Sequence, residues 1–265
     1  IDLEVQRVTE EQLAAAIAEA RSQGYTSAIA GAAVAVDVTT GEVLAMASAP
    51  TYDPAAFIGG ISTAEWEALT ARSSEYPLNN RAIMAAYPPA STFKVITGLA
   101  GLEAGITTEN TTYNCTGRWI EMGRQWPKWC WKRTGHGTVS FREGMRESCD
   151  TVFYEIGYEF YKRKAEELQA QARAFGLGSK TGIDLPGEVS GRVPDAAWKE
   201  QFNLNYPEYQ LWLPGDTVNM AIGQGDLLAS PLQMALVYAG VANDGTVMQP
   251  HVLKTVLDSE GQPVR

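Results

Sequence analysis

A buried helix is predicted between Pro88 and Gly105, because prolines stand before the helical positions and a glycine stands at their end. Apolar residues recur between them at helical spacing, including Val95, Ile96 and Leu99. A helix with so broad an apolar face must be covered by other elements. The chain of 265 residues is long enough to supply them, as one large domain or as two small ones.

The elements around this helix predict a mixed fold. Residues 31–38 and 42–48 alternate small and apolar residues on either side of a turn, which is typical of a β-hairpin. Strands at the start, helices in the middle and strands returning at the end indicate an α/β (α+β) fold with a largely helical insert. Further helices are predicted from a capping box at Thr9 and Gln12 to Gly24, over 63–72, from Ser140 and Glu143 to Ser148, and from Ser230 to just before Asn243. The stretch from Asp150 to Gly176 is predicted to be helical, as one helix or as two.

Charge and hydropathy exclude some classes of protein. The net charge of −10 argues against a nucleic-acid partner, which needs clustered lysine and arginine. No apolar run reaches transmembrane length, and no signal-peptide pattern opens the chain. Because the chain begins at Ile1 and not at methionine, we expect it to be an excised or processed segment.

Ser91 and Lys94 are the first candidate catalytic pair. Their spacing of three residues puts both side chains on one face of the predicted helix, one turn apart. A serine hydroxyl becomes a good nucleophile when a nearby base takes its proton, and a lysine can be that base where its surroundings leave it neutral. The spacing alone is a frequent coincidence, and a capping serine beside a solvated lysine is the simpler explanation of it.

The wider sequence favours the catalytic interpretation. Residues 87–94 (YPPASTFK) resemble the first active-site motif of penicillin-binding proteins and serine β-lactamases. Ser148, Cys149 and Asp150 stand at a predicted helix junction, where that superfamily carries its second motif, S-x-N or a close variant. Asp150 replaces the more frequent asparagine, a change that the elongation (rod-shape) branch tolerates. Segments 41–50, 181–188 and 222–234 also resemble recurring class B segments, so the whole chain is similar to elongation-type class B penicillin-binding proteins, of the penicillin-binding protein 2 type.

This resemblance implies a fold and a domain. The fold is the penicillin-binding/serine β-lactamase-like one, an antiparallel sheet flanked by helices plus a mainly helical subdomain. Residues 1–265 would form one transpeptidase domain, incomplete at its C-terminus, because no third motif (K-T-G or K-S-G) is found near the end of the chain. Lys180, Thr181 and Gly182 spell that motif, but no strand-like alternation precedes them, so a structural loop is predicted there.

The resemblance also implies a reaction. Ser91 would attack the carbonyl between the two terminal D-alanines of a peptidoglycan stem peptide, and an amine of a second stem peptide would release the acyl group. Lys94 would take the hydroxyl proton, and Ser148, held in place by Asp150, would pass it to the leaving amine. β-Lactams would acylate the same serine. The alternatives are a class D-like β-lactamase or β-lactam sensor, which shares the first motif, and a non-catalytic cell-wall scaffold.

Location and partners follow from the same resemblance. We expect the extracytoplasmic face of the bacterial membrane, with an N-terminal transmembrane anchor outside this chain. The expected partners are a membrane-embedded glycan polymerase and cell-shape scaffold proteins, with no nucleic acid among them.

The cysteines are clustered near one histidine. Cys115, Cys130, Cys149 and His136 make a complete tetrahedral donor set for zinc, although their spacings match no short zinc-finger motif. A Cys115–Cys130 disulfide, three unrelated core thiols, or a histidine that only fixes a turn are the alternatives. Elongation-type class B enzymes can carry a zinc site at the matching positions, and this resemblance favours a structural zinc. Four tryptophans of the same region (119, 126, 129 and 131) are predicted to pack around the cluster.

Overall fold

The computed structural model describes residues 1–264. It contains both helices and antiparallel strands, as predicted for a mixed fold, and the chain folds as two compact units. In chain order the elements are α1 (Leu3–Ser22), β1 (Gly31–Val36), β2 (Val43–Ala49), α2 (Thr63–Thr70), α3 (Lys94–Glu103), β3 (Thr112–Cys115), β4 (Arg118–Trp119), β5 (Lys128–Trp129), β6 (Gly137–Ser140), α4 (Phe141–Arg146), α5 (Asp150–Arg163), α6 (Glu167–Ala174), α7 (Ala196–Phe202), α8 (Pro214–Met220) and α9 (Pro231–Ala242).

The first unit combines Ile1–Ala86, Lys180–Ser190 and the chain from Ser230 onward. Its β1 and β2 form the predicted antiparallel hairpin, with Gly31 opposite Ala49 and Val36 opposite Val43. Both α1 and α9 pack on this hairpin. Because β2 alternates buried and half-buried residues, its covered face joins the apolar core of the unit. The core consists of Val43, Ala82, Ile83, Ile183, Leu232 and Leu236.

The structure corrects the predicted start of α1. The helix begins at Leu3, not near Thr9, because the Asp2 carboxylate accepts hydrogen bonds from the amides of Glu4 and Val5 and caps it. Thr9 lies inside the helix, where its hydroxyl donates to the Val5 carbonyl at 2.7 Å. The Thr9 hydroxyl bonds to a carbonyl of its own helix and does not cap the helix start. The capping pattern at Thr9 therefore predicted the wrong first residue.

The strands that were predicted near the end of the chain do not form as continuous strands. Between residues 243 and 264 the backbone forms only isolated β-bridges, Glu42 with His251 and Leu257 with Pro263. The prediction of strands there was therefore wrong for the described residues. Pro250 and Pro263 lack the amide that a continuing ladder requires, which contributes to its interruption.

The segment that spells K-T-G lies in a loop of the first unit, as predicted. The buried Glu188 carboxylate accepts from the amide and the hydroxyl of Thr181, at 2.7 and 2.5 Å, and from the amide of Gly182 at 3.2 Å. A carboxylate satisfied by local donors fixes the shape of the loop. These contacts give Thr181 and Gly182 a structural role.

The second unit combines Tyr87–Ser179 and Gly191–Ala229 and is mainly helical. Helix α5 packs against α3 and α8, and α3 also packs against α6. Close approach of α5 and α8 depends on Gly157, where an added Cβ would lie 2.6 Å from the Cβ of Ala221. Two short antiparallel pairs, β3 with β6 and β4 with β5, complete the unit. Among residues 1–264, the structure contains no helix with the length and apolar character to cross a membrane.

Candidate active site

Ser91 lies in a 3₁₀ turn, Ala90–Phe93, that leads directly into α3. Its side chain is exposed, while Phe93 and Lys94 on either side of the turn's end are buried. The preceding Ala90 has a φ of 51°, in the left-handed region that residues with a Cβ rarely adopt. Its amide donates to the Gly223 carbonyl at 2.8 Å, so the loop at Gly223 holds the strained backbone in front of the serine.

Lys94 is almost completely buried, with 2% of its surface exposed. Its Nζ donates to the Ser148 carbonyl at 2.8 Å, to the Ser148 Oγ at 3.1 Å and to Asp150 Oδ1 at 2.6 Å. The Phe153 ring lies on another side, with its centroid 5.2 Å from Nζ. An ammonium has three protons to donate, and these contacts use all of them. Lys94, Ser148 and Asp150, which the sequence proposed as catalytic residues, therefore meet in one buried network.

Ser148 owes its position to the end of α4. The predicted capping box is present, since Ser140 and Glu143 bond reciprocally at the start of that helix. At its end Ser148 adopts a φ of 50°, again in the left-handed region. The amide of Cys149 then donates to the Gly144 carbonyl at 2.8 Å, which closes the turn and starts α5. Strained residues therefore occur both before Ser91 and at Ser148, as is frequent at functional sites.

Asp150 stands at the first position of α5, where the helix dipole favours negative charge. Its Oδ1 pairs with Lys94, and its Oδ2 accepts from the backbone amide of Trp131 at 2.8 Å. Sequence reasoning missed this second contact, because a backbone donor leaves no mark in the sequence. Trp131 directly follows Cys130, so the cysteine-bearing segment fixes the carboxylate that holds Lys94.

Cys115, Cys130, Cys149 and His136 meet in the second unit, and their ligand atoms all lie within 4.8 Å of one another. The three cysteines are buried and free. His136 Nδ1 lies 3.6 Å from Cys115 Sγ and 3.5 Å from Cys130 Sγ. Zinc–sulfur and zinc–nitrogen bonds of the usual lengths, at tetrahedral angles, separate sulfur from nitrogen by about 3.6 Å. The donor set and its spacing therefore fit a four-coordinate zinc ion.

The thiols differ in their protonation. Burial raises the pKa of Cys115, but hydrogen bonds from Thr151 and His136 outweigh it and lower that pKa to about 6. Burial raises the pKa of Cys130, and it raises the pKa of Cys149 to about 12. Without a cation, the cluster holds one readily formed thiolate and resists forming more. A divalent metal would supply the missing positive charge.

Of the four tryptophans predicted to pack around the cluster, Trp131 contacts one of its members, since its ring centroid lies 5.4 Å from that of His136. Trp119 is buried, and its Nε1 donates to Glu155 at 2.8 Å. Trp126, Trp129 and Trp131 are exposed by 66%, 45% and 61%. Strands β4 and β5 form a two-stranded hairpin, and such a hairpin has one face that no other strand covers. The exposure of these three rings shows that they do not enclose the cluster in a core.

The chain is similar in sequence to peptidoglycan D,D-transpeptidases. Peptidoglycan D,D-transpeptidase MrdA of Escherichia coli K12 is 39% identical over 237 residues, which cover 88% of this chain and 36% of the relative. The chain thus spans about a third of the length of the curated relatives it matches.

Solved structures give the same result. One similar structure is described by the words "structural coordination of polymerization and crosslinking by a peptidoglycan synthase complex". Its matching chain is 36% identical to this chain, with a TM-score of 0.85. That comparison covers 100% of this chain and 44% of the other. Penicillin-binding protein 2 of Helicobacter pylori, solved in complex with MreC, is 39% identical with a TM-score of 0.76, covering 88% of this chain and 41% of that one.

The family profile described as the penicillin binding protein transpeptidase domain matches residues 31–265. Together with the solved structures, it confirms the penicillin-binding/serine β-lactamase-like fold and the resemblance carried by the motifs. The chain therefore belongs to the penicillin-binding protein transpeptidase family, and its relatives are of the elongation type of class B.

Proposed function

We propose that this chain carries the D,D-transpeptidase centre of a peptidoglycan cross-linking enzyme, with Ser91 as the acylated residue. One observation carries the proposal: the buried Lys94, one helical turn after Ser91, is held by Ser148 and Asp150 through three hydrogen bonds. The name of the E. coli relative supports the same reaction for the longer protein. The family description also supports β-lactams as acylating ligands.

In this mechanism Ser91 Oγ attacks the carbonyl carbon of the terminal D-alanyl-D-alanine bond, and the terminal D-alanine leaves as an amine. Positive backbone potential at the start of α3 favours the negative charge that develops beside Ser91. An amine of a second stem peptide then attacks the acyl-serine and restores the hydroxyl. The amine forms the new amide bond, so the energy of the original peptide bond is conserved in the cross-link.

Lys94 must release a proton before it can accept one from Ser91. Its Nζ is held by Ser148 and Asp150 through three hydrogen bonds. Asp150 Oδ1, at 2.6 Å, and Ser148 Oγ, at 3.1 Å, are the groups in reach of that proton. We propose that neutral Lys94 takes the hydroxyl proton of Ser91, and that Ser148 passes this proton from Lys94 to the leaving amine while Asp150 keeps Lys94 oriented.

The test is intact-mass spectrometry of the protein before and after incubation with a penicillin. We expect a stable adduct of one penicillin that is lost in Ser91→Ala and retained in Ser27→Ala, a control at an exposed serine of a turn. Rapid loss of the adduct with release of hydrolysed penicillin would favour a β-lactamase. No adduct on the full-length protein would contradict the enzyme proposal and favour a scaffold.

We propose further that the cysteine and histidine cluster binds a structural zinc ion. The support is the tetrahedral spacing of His136 Nδ1 from two sulfurs and the chemistry of a Cys₃His donor set. Four protein ligands leave no open position, so the ion would stabilise the segment between Cys115 and Cys149 without taking part in the reaction. The ion would also fix the position of Cys130 and hence of the neighbouring Trp131 amide, which donates a hydrogen bond to Asp150.

Native and denatured masses test the zinc proposal. The native protein should exceed the denatured one by the mass of one zinc ion. His136→Gln should lose this excess and unfold at a lower temperature, whereas His251→Gln, which alters the only other histidine, should keep it. A protein without the excess, whose mass instead indicates two oxidised thiols, would contradict zinc in favour of the Cys115–Cys130 disulfide.

We propose that the longer protein works at the extracytoplasmic face of the bacterial membrane with a glycan polymerase and a cell-shape scaffold protein. The support comes from relatives: one is described in a peptidoglycan synthase complex that coordinates polymerization and crosslinking, and another in a complex with MreC. Co-purification of the full-length protein with a membrane polymerase tests this proposal. Recovery of the full-length protein alone after mild detergent extraction and cross-linking would contradict it.

A further inference from the structure

Trp131 has a large side chain whose place in the structure is not explained by burial. Its surface is 61% exposed, whereas tryptophans are on average highly buried. Its indole Nε1 nevertheless donates a hydrogen bond to the Glu147 carbonyl at 3.1 Å. Glu147 is the C-cap residue of α4, and the last carbonyls of a helix lack partners within the helix. The indole therefore supplies a donor at the end of α4.

The Glu147 carbonyl is one side of the peptide plane that precedes Ser148. The other side of that plane is the Ser148 amide, which donates to a carbonyl of α4 at 3.1 Å. In the plane that follows Ser148, the Cys149 amide donates to another carbonyl of α4 at 2.8 Å, and the Ser148 carbonyl accepts from Lys94 Nζ at 2.8 Å. Two held peptide planes fix the φ and ψ of the residue between them.

Ser148 needs this support because its φ is 50°. A residue with a Cβ is strained in the left-handed region, and it stays there only where neighbouring contacts hold it. Rotation about the N–Cα bond of Ser148 would move its hydroxyl, which lies 3.1 Å from Lys94 Nζ in the structure. Loss of one of the four contacts should therefore loosen the position of this hydroxyl.

Trp131 is itself fixed at both its backbone and its ring. Its amide donates to Asp150 Oδ2 at 2.8 Å. Its ring meets the His136 ring with centroids 5.4 Å apart and planes at 68°, an edge-to-face arrangement that aromatic pairs favour. A side chain that is already ordered loses little further conformational entropy when it forms a hydrogen bond. The indole is therefore a preorganised donor to the Glu147 carbonyl.

We propose that Trp131 is a positioning residue for the proton transfer by Ser148. Its indole N–H holds the Glu147 carbonyl, and thereby the peptide plane that orients the Ser148 hydroxyl. The assignment rests on the proposed transpeptidase function, in which Ser148 passes a proton to the leaving amine. The indole should therefore matter for a leaving group that must take up a proton, and not for one that leaves as a stable anion.

The test compares two substrates of the full-length protein. When penicillin acylates Ser91, the ring nitrogen that is released takes up a proton. The thioester N-benzoyl-D-alanylthioglycolate instead releases a thiolate, which needs none. Trp131→Phe keeps an aromatic ring at this position and removes the indole donor. It should slow acylation by penicillin about 5- to 10-fold, as expected for one hydrogen bond, and should leave kcat/KM for the thioester largely unchanged.

Ser148→Ala calibrates the comparison, because it removes the transferring hydroxyl itself. Trp131→Phe should shift the ratio of the two rates in the same direction as Ser148→Ala. Trp126→Phe makes the same replacement at a tryptophan of the same unit that is 66% exposed, and it should leave both rates unchanged. The native and denatured masses of each variant show whether its metal content has changed.

An unchanged rate of penicillin acylation in Trp131→Phe would overturn the proposal. Equal slowing of both substrates by Trp131→Phe, while Ser148→Ala separates them, would overturn this assignment alone, because the tryptophan would then have only a structural role. If neither variant separates the substrates, the proposed proton route through Ser148 is wrong as well. Should Trp131→Phe fail to fold, β-(3-benzothienyl)alanine at position 131 gives the same test, since it keeps both fused rings and replaces the N–H with sulfur.

Discussion

Gly223→Ala should slow acylation of Ser91 by displacing the turn that carries it. Gly223 has a φ of 73°, and a Cβ added there would lie 2.0 Å from the carbonyl oxygen of Ala90. Cβ atoms in proteins essentially never approach other atoms closer than 3.0 Å, so the two backbones must separate by about 1 Å. The obstacle is a backbone atom of a residue that is itself strained, so no flexible side chain can move aside to relieve the clash.

The free energy of unfolding lost in Gly223→Ala has two parts. An alanine in the left-handed region costs about 1–2 kcal/mol. The forced separation from Ala90 adds about 1–3 kcal/mol, the usual range for overpacking. Displacement of a reacting group by about 1 Å can lower a rate by roughly 100-fold. Gly223→Ala should therefore reduce both the free energy of unfolding and, more strongly, the rate of acylation.

The assay is the second-order rate of acylation by a fluorescent penicillin, measured beside chemical denaturation. Gly176→Ala is the matched control, since Gly176 lies in the same unit with a φ of 83° and open space around its Cβ position. The control should lose only about 1–2 kcal/mol of stability and should keep its acylation rate. Equal acylation rates in the two variants would refute the argument that Gly223 positions Ser91.

Three further predictions follow from single contacts. Glu188→Gln should lower the free energy of unfolding by about 1–3 kcal/mol in urea denaturation, because the charged acceptor of Thr181 is lost. Thr151→Val removes the hydroxyl that donates to Cys115 Sγ at 3.2 Å, and zinc affinity, measured against a chromophoric chelator, should fall roughly 10- to 100-fold. Desolvation raises the pKa of Asp184, but two backbone amides of the C-terminal segment outweigh it and hold that pKa below 3.8. Its stabilisation is therefore present above pH 3.8 and is lost as pH falls further, so Asp184→Asn should flatten the acid limb of a plot of unfolding free energy against pH.

Local signals in the sequence predicted much of the fold. Helix α4 starts at the predicted capping box of Ser140, and α9 starts after Ser230, as expected. The alternating residues of the hairpin pair as β1 and β2. These features depend on neighbours a few residues apart, which a sequence displays directly. The same kind of signal failed at Thr9, because an earlier and better cap, Asp2, was present.

The site was predictable by residue type and not by geometry. Ser91, Lys94, Ser148 and Asp150 could be named from motifs, but the 2.6 Å contact of Lys94 with Asp150 joins residues 56 positions apart. The amide of Trp131 could not have been identified, since every residue except proline carries one. Burial of the tryptophans was also not predictable from residue type. Large apolar residues near a buried cluster were expected to be covered, and three of the four tryptophans are exposed.

The division of the chain has a consequence for the order of folding. The first unit is built from three separate stretches, and its core joins Val43 to Leu232 and Leu236. Those contacts close a loop of roughly 190 residues, whose entropy must be lost before the contacts form. Most of the second unit is one continuous stretch, Tyr87–Ser179. Synthesis proceeds from the N-terminus. We therefore expect the helices of Tyr87–Ser179, which include the one after Ser91, to assemble early, and the core under the β1–β2 hairpin to form only after α9 has been made.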